Sequence, residues 1–441
     1  MCKCEYSGSA PGIEGENLVV RSIPKLSARE AAALAPPGAR VYLAGCCGEP
    51  GAILDAVSAE PDLWRGVELL GAYIPGVNRR DLSAIGHETV ARSIFAAEGL
   101  RPGQSAGTVA IWPAHYTELY RHLAEPGRVD VAYFQVPPPR ADGTVGFGVA
   151  ADFSPAPVQA GARLVGQINP DMPDVVDGPR VPVERFSAFV DAAAPLITYD
   201  SGRRDPVIDA IGVRIAGLIR EGDTIQLGLG KMQQAVLDAL IDHRDLGFHS
   251  GMISDPILPL IDRGVFSKGI TTGVALGSSV LYERARALPQ LRFRPVGETH
   301  AIGHLSRIER FISINSVIEV DLLGQANAEF LGGRQVSGLG GMVDFVRGAR
   351  ASSGGRSWLA LPASAEGGRR SRIVPALPTG VAAGVSRTDV DCVVTEHGVA
   401  DLRRASVAER AERLIAIAAP QFRDQLADDW HAMQRTGGMA S

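Results

Sequence analysis

Residues 224–241 read TIQLGLGKMQQAVLDALI. The run Thr224–Gly228 is apolar and compact, a buried strand. Gly228-Leu229-Gly230 breaks it, and 231–241 carries apolar residues at helical spacing. Strand, glycine loop and helix make one βα unit. A second copy lies upstream. Val41–Gly45 (VYLAG) is a strand ending in glycine, and a helix over 51–58 follows. Leu54-Asp55-Ala56 sits 10 residues beyond Gly45, and Leu237-Asp238-Ala239 sits 10 beyond Gly228. The echo reads as two related α/β lobes; chance likeness of two ordinary βα units is the alternative.

Further strands are expected at 131–136, stopped by Pro137–Pro139, and at 163–169. Ser27 to Glu30 reads as a capping box. Residues 191–206 (DAAAPLITYDSGRRDP) lack periodicity and serve as the linker. The expected lobes are therefore 1–190 and 207–441. Apolar positions Ile208, Ile211 and Ile215 give a helical stripe after the linker.

The chain has 441 residues, 45% hydrophobic and 21% charged, with a net charge of −5 and no long basic run. That supplies a large core and argues against nucleic acid as a partner. Five cysteines show neither a disulfide framework nor zinc spacing, so no metal is expected. No apolar run is long enough for a bilayer, and the first residues have no signal core. A reducing cytoplasm is the expected location.

Four stretches carry candidate chemistry. Gly228, Leu229 and Gly230 let a ligand approach the backbone at a helix N-terminus, where N–H groups face negative charge; a packing turn is the plain alternative. Residues 315–348, NSVIEVDLLGQANAEFLGGRQVSGLGGMVDFVRG, run from an expected strand (Val317–Leu322) into a loop with seven glycines. Gly338, Gly340, Gly341 and Asn327 there suggest a backbone shaped around a ligand. Arg369, Arg370 and Arg372 could hold phosphates or be a solvated surface. Glu396 and His397, in VTEHGVADL (394–402), are a site edge or a structural pair.

The chain resembles the acetyl-CoA hydrolase/transferase family, including 4-hydroxybutyrate CoA-transferases. The likeness rests on GQANAE, GGRQVSGLGG, VDFVRGA, SRIVPALP, VTEHGVADL, AIAAPQFR (416–423), DVAYFQVPPPRADGTVGFG (130–148) and INPDMP (168–173). It implies two open-sheet lobes with the site in the cleft between them. It also implies a coenzyme A thioester as substrate, no tightly bound cofactor, a small-molecule acceptor, and a homodimer or larger assembly. Met342 stands where relatives often carry glutamine.

The family attacks the thioester with a glutamate in a motif similar to H-S-E-M. Here that segment is His249-Ser250-Gly251-Met252, with glycine in place of the glutamate. The missing side chain is expected to leave a void that an acceptor nucleophile enters. Transfer would then go directly to an amine, alcohol or water, with His249 as a base. A CoA-transferase with a relocated carboxylate (Glu49, Glu329 or Glu396) is the alternative, as is a CoA-binding protein without turnover. Cys46 and Cys47, beside Glu49, are possible nucleophiles. Asp255 is expected to cap a helix over 256–263. Glutamate restored at position 251 is expected to return some CoA exchange.

Overall fold

A computed structural model describes residues 23–437. Cys2 and Cys4 lie outside the described residues. Ser27 does form the capping box: its Oγ accepts from the Glu30 N–H (3.2 Å), and Glu30 Oε2 accepts from the Ser27 N–H (2.9 Å).

Two large sheets organise the chain. The first holds β1 (Arg40–Leu43), β2 (Glu68–Gly71), β3 (Val90–Ser93), β4 (Val109–Ile111), β5 (Val131–Val136), β6 (Arg163–Ile168) and β7 (Phe186–Asp191). Their spatial order is β4-β3-β2-β1-β5-β6-β7, all parallel. The second holds β8 (Thr224–Leu227), β9 (Gly247–His249), β10 (Ile270–Thr272), β11 (Leu291–Phe293), β12 (Phe311–Ser316), β13 (Arg356–Ala360), β14 (Cys392–Thr395) and β15 (Gly398–Asp401). Its order is β11-β10-β9-β8-β12-β13-β14-β15, parallel except for the β14–β15 hairpin.

Both lobes follow one plan. Each starts at a central strand, lays three strands to one side, then crosses to the other. The strand order reverses between β1 and β5 and between β8 and β12. In open α/β sheets that switch point, at the carboxyl ends of the strands, is where ligands bind. Residues 192–205 join the sheets without helix or strand.

The strand expected at Val317–Leu322 is displaced. The main sheet takes Phe311–Ser316, and the chain then leaves it. Only Glu319–Asp321 is extended, with Val320 pairing Ile373 on one side and Ala326 on the other. The apolar run continues past Ser316 because both layers are buried, and hydropathy does not mark the bend. Asp255 does not cap its own helix, Ile257–Asp262, which has no side-chain cap. It accepts instead from the N–H (2.8 Å) and Oγ (2.5 Å) of Ser278, the residue that starts the helix Ser279–Ala285.

The lobes share one continuous apolar core, with Phe134 and Phe153 of the first joined to Phe248 and Phe293 of the second. Residues 149–151 pair with 273–275 across the boundary (Ala151 N to Gly273 O and Ala275 N to Val149 O, both 3.0 Å). Arg294 donates two hydrogen bonds to Asp177 at 2.7 and 3.0 Å. Among the described residues no helix is long and apolar enough to cross a membrane.

Two predictions follow from this packing. The helices Pro206–Ala216 and Lys231–Ala239 meet at Gly212, where a Cβ would lie 2.6 Å from the Ala235 carbonyl carbon. That contact is backbone and cannot swing away. Gly212→Ala should lower stability by about 1–3 kcal/mol, read as a lower urea midpoint; an unchanged midpoint contradicts the close approach. Asp152 lies at the lobe boundary, where burial pushes its carboxyl up to about 6. The folded chain thus holds a proton there that the unfolded chain releases near pH 4. The stability this adds is present below pH 4 and is lost as pH rises through 6. Asp152→Asn should therefore stabilise the protein by about 1–2 kcal/mol at pH 8 and by little at pH 4, measured by denaturant titration at both pH values.

Candidate active site

A cavity of about 350 Å³ opens at the switch point of the second sheet and reaches across to the first lobe. Gly228 and Leu229 line it, followed by Gly230 with φ +113°, a region that disfavours any side chain. The helix Lys231–Ala239 begins there, so N–H groups of its first turn lack helical partners. Gln233 Nε2 donates to Ser316 Oγ at 3.1 Å, tying the helix start to the end of β12. Beneath, Gln226 Oε1 accepts from Ser313 Oγ (2.9 Å) and Asn315 Nδ2 (3.1 Å). This buried polar ladder spans the switch point.

Ser250 and Gly251 also line the cavity, as do Gly338, Gly340 and Gly341. Ser250 Oγ is committed to the Leu227 carbonyl at 2.5 Å. The glycine loop reflects packing as much as ligand shape. A Cβ at Gly338 would sit 2.0 Å from the Ile94 carbonyl oxygen of the first lobe, and one at Gly340 would lie 2.8 Å from the Phe95 ring.

The place beside Gly251 is not a void. A Cβ there would meet the His300 ring, at 2.8 Å from Cε1 and 3.1 Å from Nε2. A Cβ at Gly341 would meet the same ring at 2.2 Å. His300 is held between the two glycines. Phe345 packs against it (ring centroids 4.3 Å apart), and Tyr116 of the first lobe does so at 5.0 Å. Burial, then the charge of His249, pulls the His300 pKa down to about 3. Sequence reading missed this residue because no motif surrounds it in RPVGETHAIG; only the fold brings position 300 to position 251.

His249 itself is not in the cavity lining. Its Nε2 donates to the Thr299 carbonyl at 2.9 Å, and burial lowers its pKa to about 4. It supports the segment carrying His300, since that bond leaves its Nε2 no proton to exchange with a ligand.

The other expected site residues are engaged elsewhere. Glu49 is buried in the first lobe, accepting from Asn78 Nδ2 (2.8 Å) and Arg80 Nε (3.1 Å), with its pKa raised by burial. Cys46 and Cys47 are buried too; the thiols are pushed up, Cys47 to about 12, and Cys47 Sγ donates to the Tyr282 hydroxyl at 3.0 Å. Such thiols stay protonated, which argues against either as a nucleophile. Glu396 and His397 form the β14–β15 turn, where Glu396 Oε2 accepts from the Ala363 N–H at 2.9 Å. Asn327 spends its side chain on its own loop: Oδ1 accepts from the N–H groups of Glu329 and Phe330, and Nδ2 donates to the Phe330 carbonyl. Arg370 pairs with Glu319, and half-buried Arg372 has its Nε without a hydrogen-bond partner. None of these lines the cavity.

The chain matches the acetyl-CoA hydrolase/transferase N-terminal domain over residues 23–193 and the C-terminal domain of the same family over 277–430. It is 33% identical to the 4-hydroxybutyrate coenzyme A transferase of Clostridium kluyveri over 402 residues, covering 89% of this chain and 93% of that protein. RipA from Yersinia pestis has the same fold at a TM-score of 0.87 and 28% identity, with 93% of this chain and 98% of that chain covered. The 4-hydroxybutyrate CoA-transferase from Porphyromonas gingivalis matches at a TM-score of 0.76 and 30% identity, with 93% and 98% covered. With both domains present in order around one cleft, the chain belongs to the acetyl-CoA hydrolase/transferase family.

Proposed function

We propose that this enzyme passes the acyl group of a coenzyme A thioester directly to an acceptor nucleophile (an amine, an alcohol or water) without a glutamyl-CoA intermediate. One observation carries the reading: position 251 has no carboxylate, and an aromatic ring occupies the direction its side chain would take. A covalent route needs a nucleophile facing the thioester carbon. Direct transfer needs only a held thioester, donors for the oxyanion and room for the acceptor. The GLG loop and the first turn of the helix after it supply backbone donors, each worth about 3–4 kcal/mol in such adducts.

A CoA-transferase with a relocated carboxylate has one feature in its favour. Glu329 is buried beside a smaller cavity that shares Leu339 with the main one, and burial raises its pKa. Trapping separates the two readings. Acyl-CoA is incubated with the enzyme, quenched with borohydride or hydroxylamine, and the protein is analysed by mass spectrometry. Direct transfer predicts thiol release that depends on amine, alcohol or water, and no modified carboxylate. An adduct on Glu329, or CoA exchange into free acids, overturns it.

The occupied site also revises the expectation for a restored glutamate. Gly251→Glu alone should fail to give CoA exchange and should lose about 1–3 kcal/mol of stability, because the new side chain meets the His300 ring, which Phe345 and Tyr116 pack against. Gly251→Glu combined with His300→Ala should recover stability and gain measurable exchange between acetyl-CoA and labelled acetate.

A further inference from the structure

We infer that His300 is the general base of this cleft, and that the acceptor is an uncharged hydroxyl compound carried on an apolar body. The inference rests on the direct-transfer reading and specifies its chemistry.

The ring's hydrogen bonds define its role. Thr299 Oγ1 lies 3.2 Å from the Pro295 carbonyl and 2.8 Å from His300 Nδ1. With the hydroxyl proton on the Pro295 carbonyl, we assign the imidazole proton to Nδ1, which then donates to the hydroxyl oxygen. Nε2 then carries the free lone pair. It has no hydrogen-bond partner among the described residues, and it faces the gap between Gly251 and Gly341, both of which line the cavity. A base that replaces an attacking side chain must stand where that side chain stood, next to the thioester carbon.

The walls select the acceptor. Phe95, Tyr116, Met252, Met342 and Phe345 line the cavity with His300, and none of the described residues lining it is Asp, Glu, Lys or Arg. A carboxylate or alkylammonium acceptor would enter without a counter-charge and lose its hydration uncompensated. An alcohol enters neutral, and its apolar body meets the aromatic walls.

The step balances. The acceptor O–H gives its proton to Nε2 as its oxygen bonds to the thioester carbon. The carbonyl π pair moves to oxygen, which the GLG amides receive. The adduct collapses by breaking C–S, and the leaving sulfur takes the proton back from the imidazolium. The products are an ester and free coenzyme A. In the empty cleft the ring stays neutral, because burial opposes protonation. The forming oxyanion supplies the opposite charge that the empty cleft lacks. Tyr116 and His249 are the titratable groups packed nearest the ring, and neither is an anion at neutral pH.

The test uses butyryl-CoA with benzyl alcohol, trifluoroethanol, benzylamine or butyrate as acceptor. Benzyl butyrate should form, with a solvent deuterium isotope effect, and butyrate should give no exchange. His300→Asn, folded by its melting curve, should lose about 10²–10⁴-fold in kcat for benzyl alcohol. The loss should be smaller with trifluoroethanol, whose more acidic hydroxyl depends less on a base, and KM for butyryl-CoA should hold. If His300→Asn does not fold, wild-type enzyme without an isotope effect on ester formation rejects the base. Equal losses for both alcohols, or a variant within threefold of wild type, also reject it while leaving direct transfer standing. A preference for benzylamine over benzyl alcohol overturns the acceptor class. A trapped glutamyl adduct overturns direct transfer itself.

Discussion

The site depends on one steric fact: the imidazole of His300 and a side chain at position 251 compete for the same space. Gly251 and Gly341 come from segments 90 residues apart, and each leaves room for one face or edge of the ring. Tyr116 reaches the ring from the other lobe. The ring is therefore part of the lobe boundary as well as of the cleft. The Thr117 hydroxyl, which donates to Asp344 at 2.8 Å, fastens the same boundary one residue beyond Tyr116 and one before Phe345.

Burial sets the ionisation of the groups near the lobe boundary. The thiols of Cys46 and Cys47 stay protonated, the imidazoles of His249 and His300 stay neutral, and the Asp152 carboxyl is drawn toward its protonated form. In each case the largest cause is loss of solvent, which disfavours whichever form is charged. The cleft wall thus carries little fixed charge. Interactions that develop during a reaction are poorly screened there, and a few aligned dipoles count for more than a surface ion pair would.

Much of the scaffold was legible in the sequence. The apolar runs at 131–136 and 224–227 are strands, and the equal offsets from Gly45 and Gly228 go with the same strand order in both lobes. Local pattern sufficed because a buried parallel strand is a short apolar run whatever its neighbours. The site was less legible. Glu49 and Glu396 stand at strand ends, as a site residue would, but each is satisfied by a partner that only the fold reveals. His300 has no local signature at all. Its role comes from three contacts, with residues 251, 341 and 345, that no spacing rule connects.

The glycine-rich loop shows why reading function from composition needs the fold. Density of glycine in 324–348 suggests a ligand, yet Gly338 is required by the Ile94 carbonyl and Gly341 by the His300 ring. Those glycines shape the cavity by letting protein in, and the ligand meets what they admit. The same logic applies at position 251. Loss of a carboxylate alone would leave a hole about the size of that side chain, which water or a substrate could fill. An imidazole fills that space here, and on the proposed reading it would put a proton acceptor where the resemblance to the family implies a carboxylate. On the direct-transfer proposal, the arrangement would drop the covalent step and keep the thioester pocket, so the acceptor rather than the enzyme would bring the attacking atom.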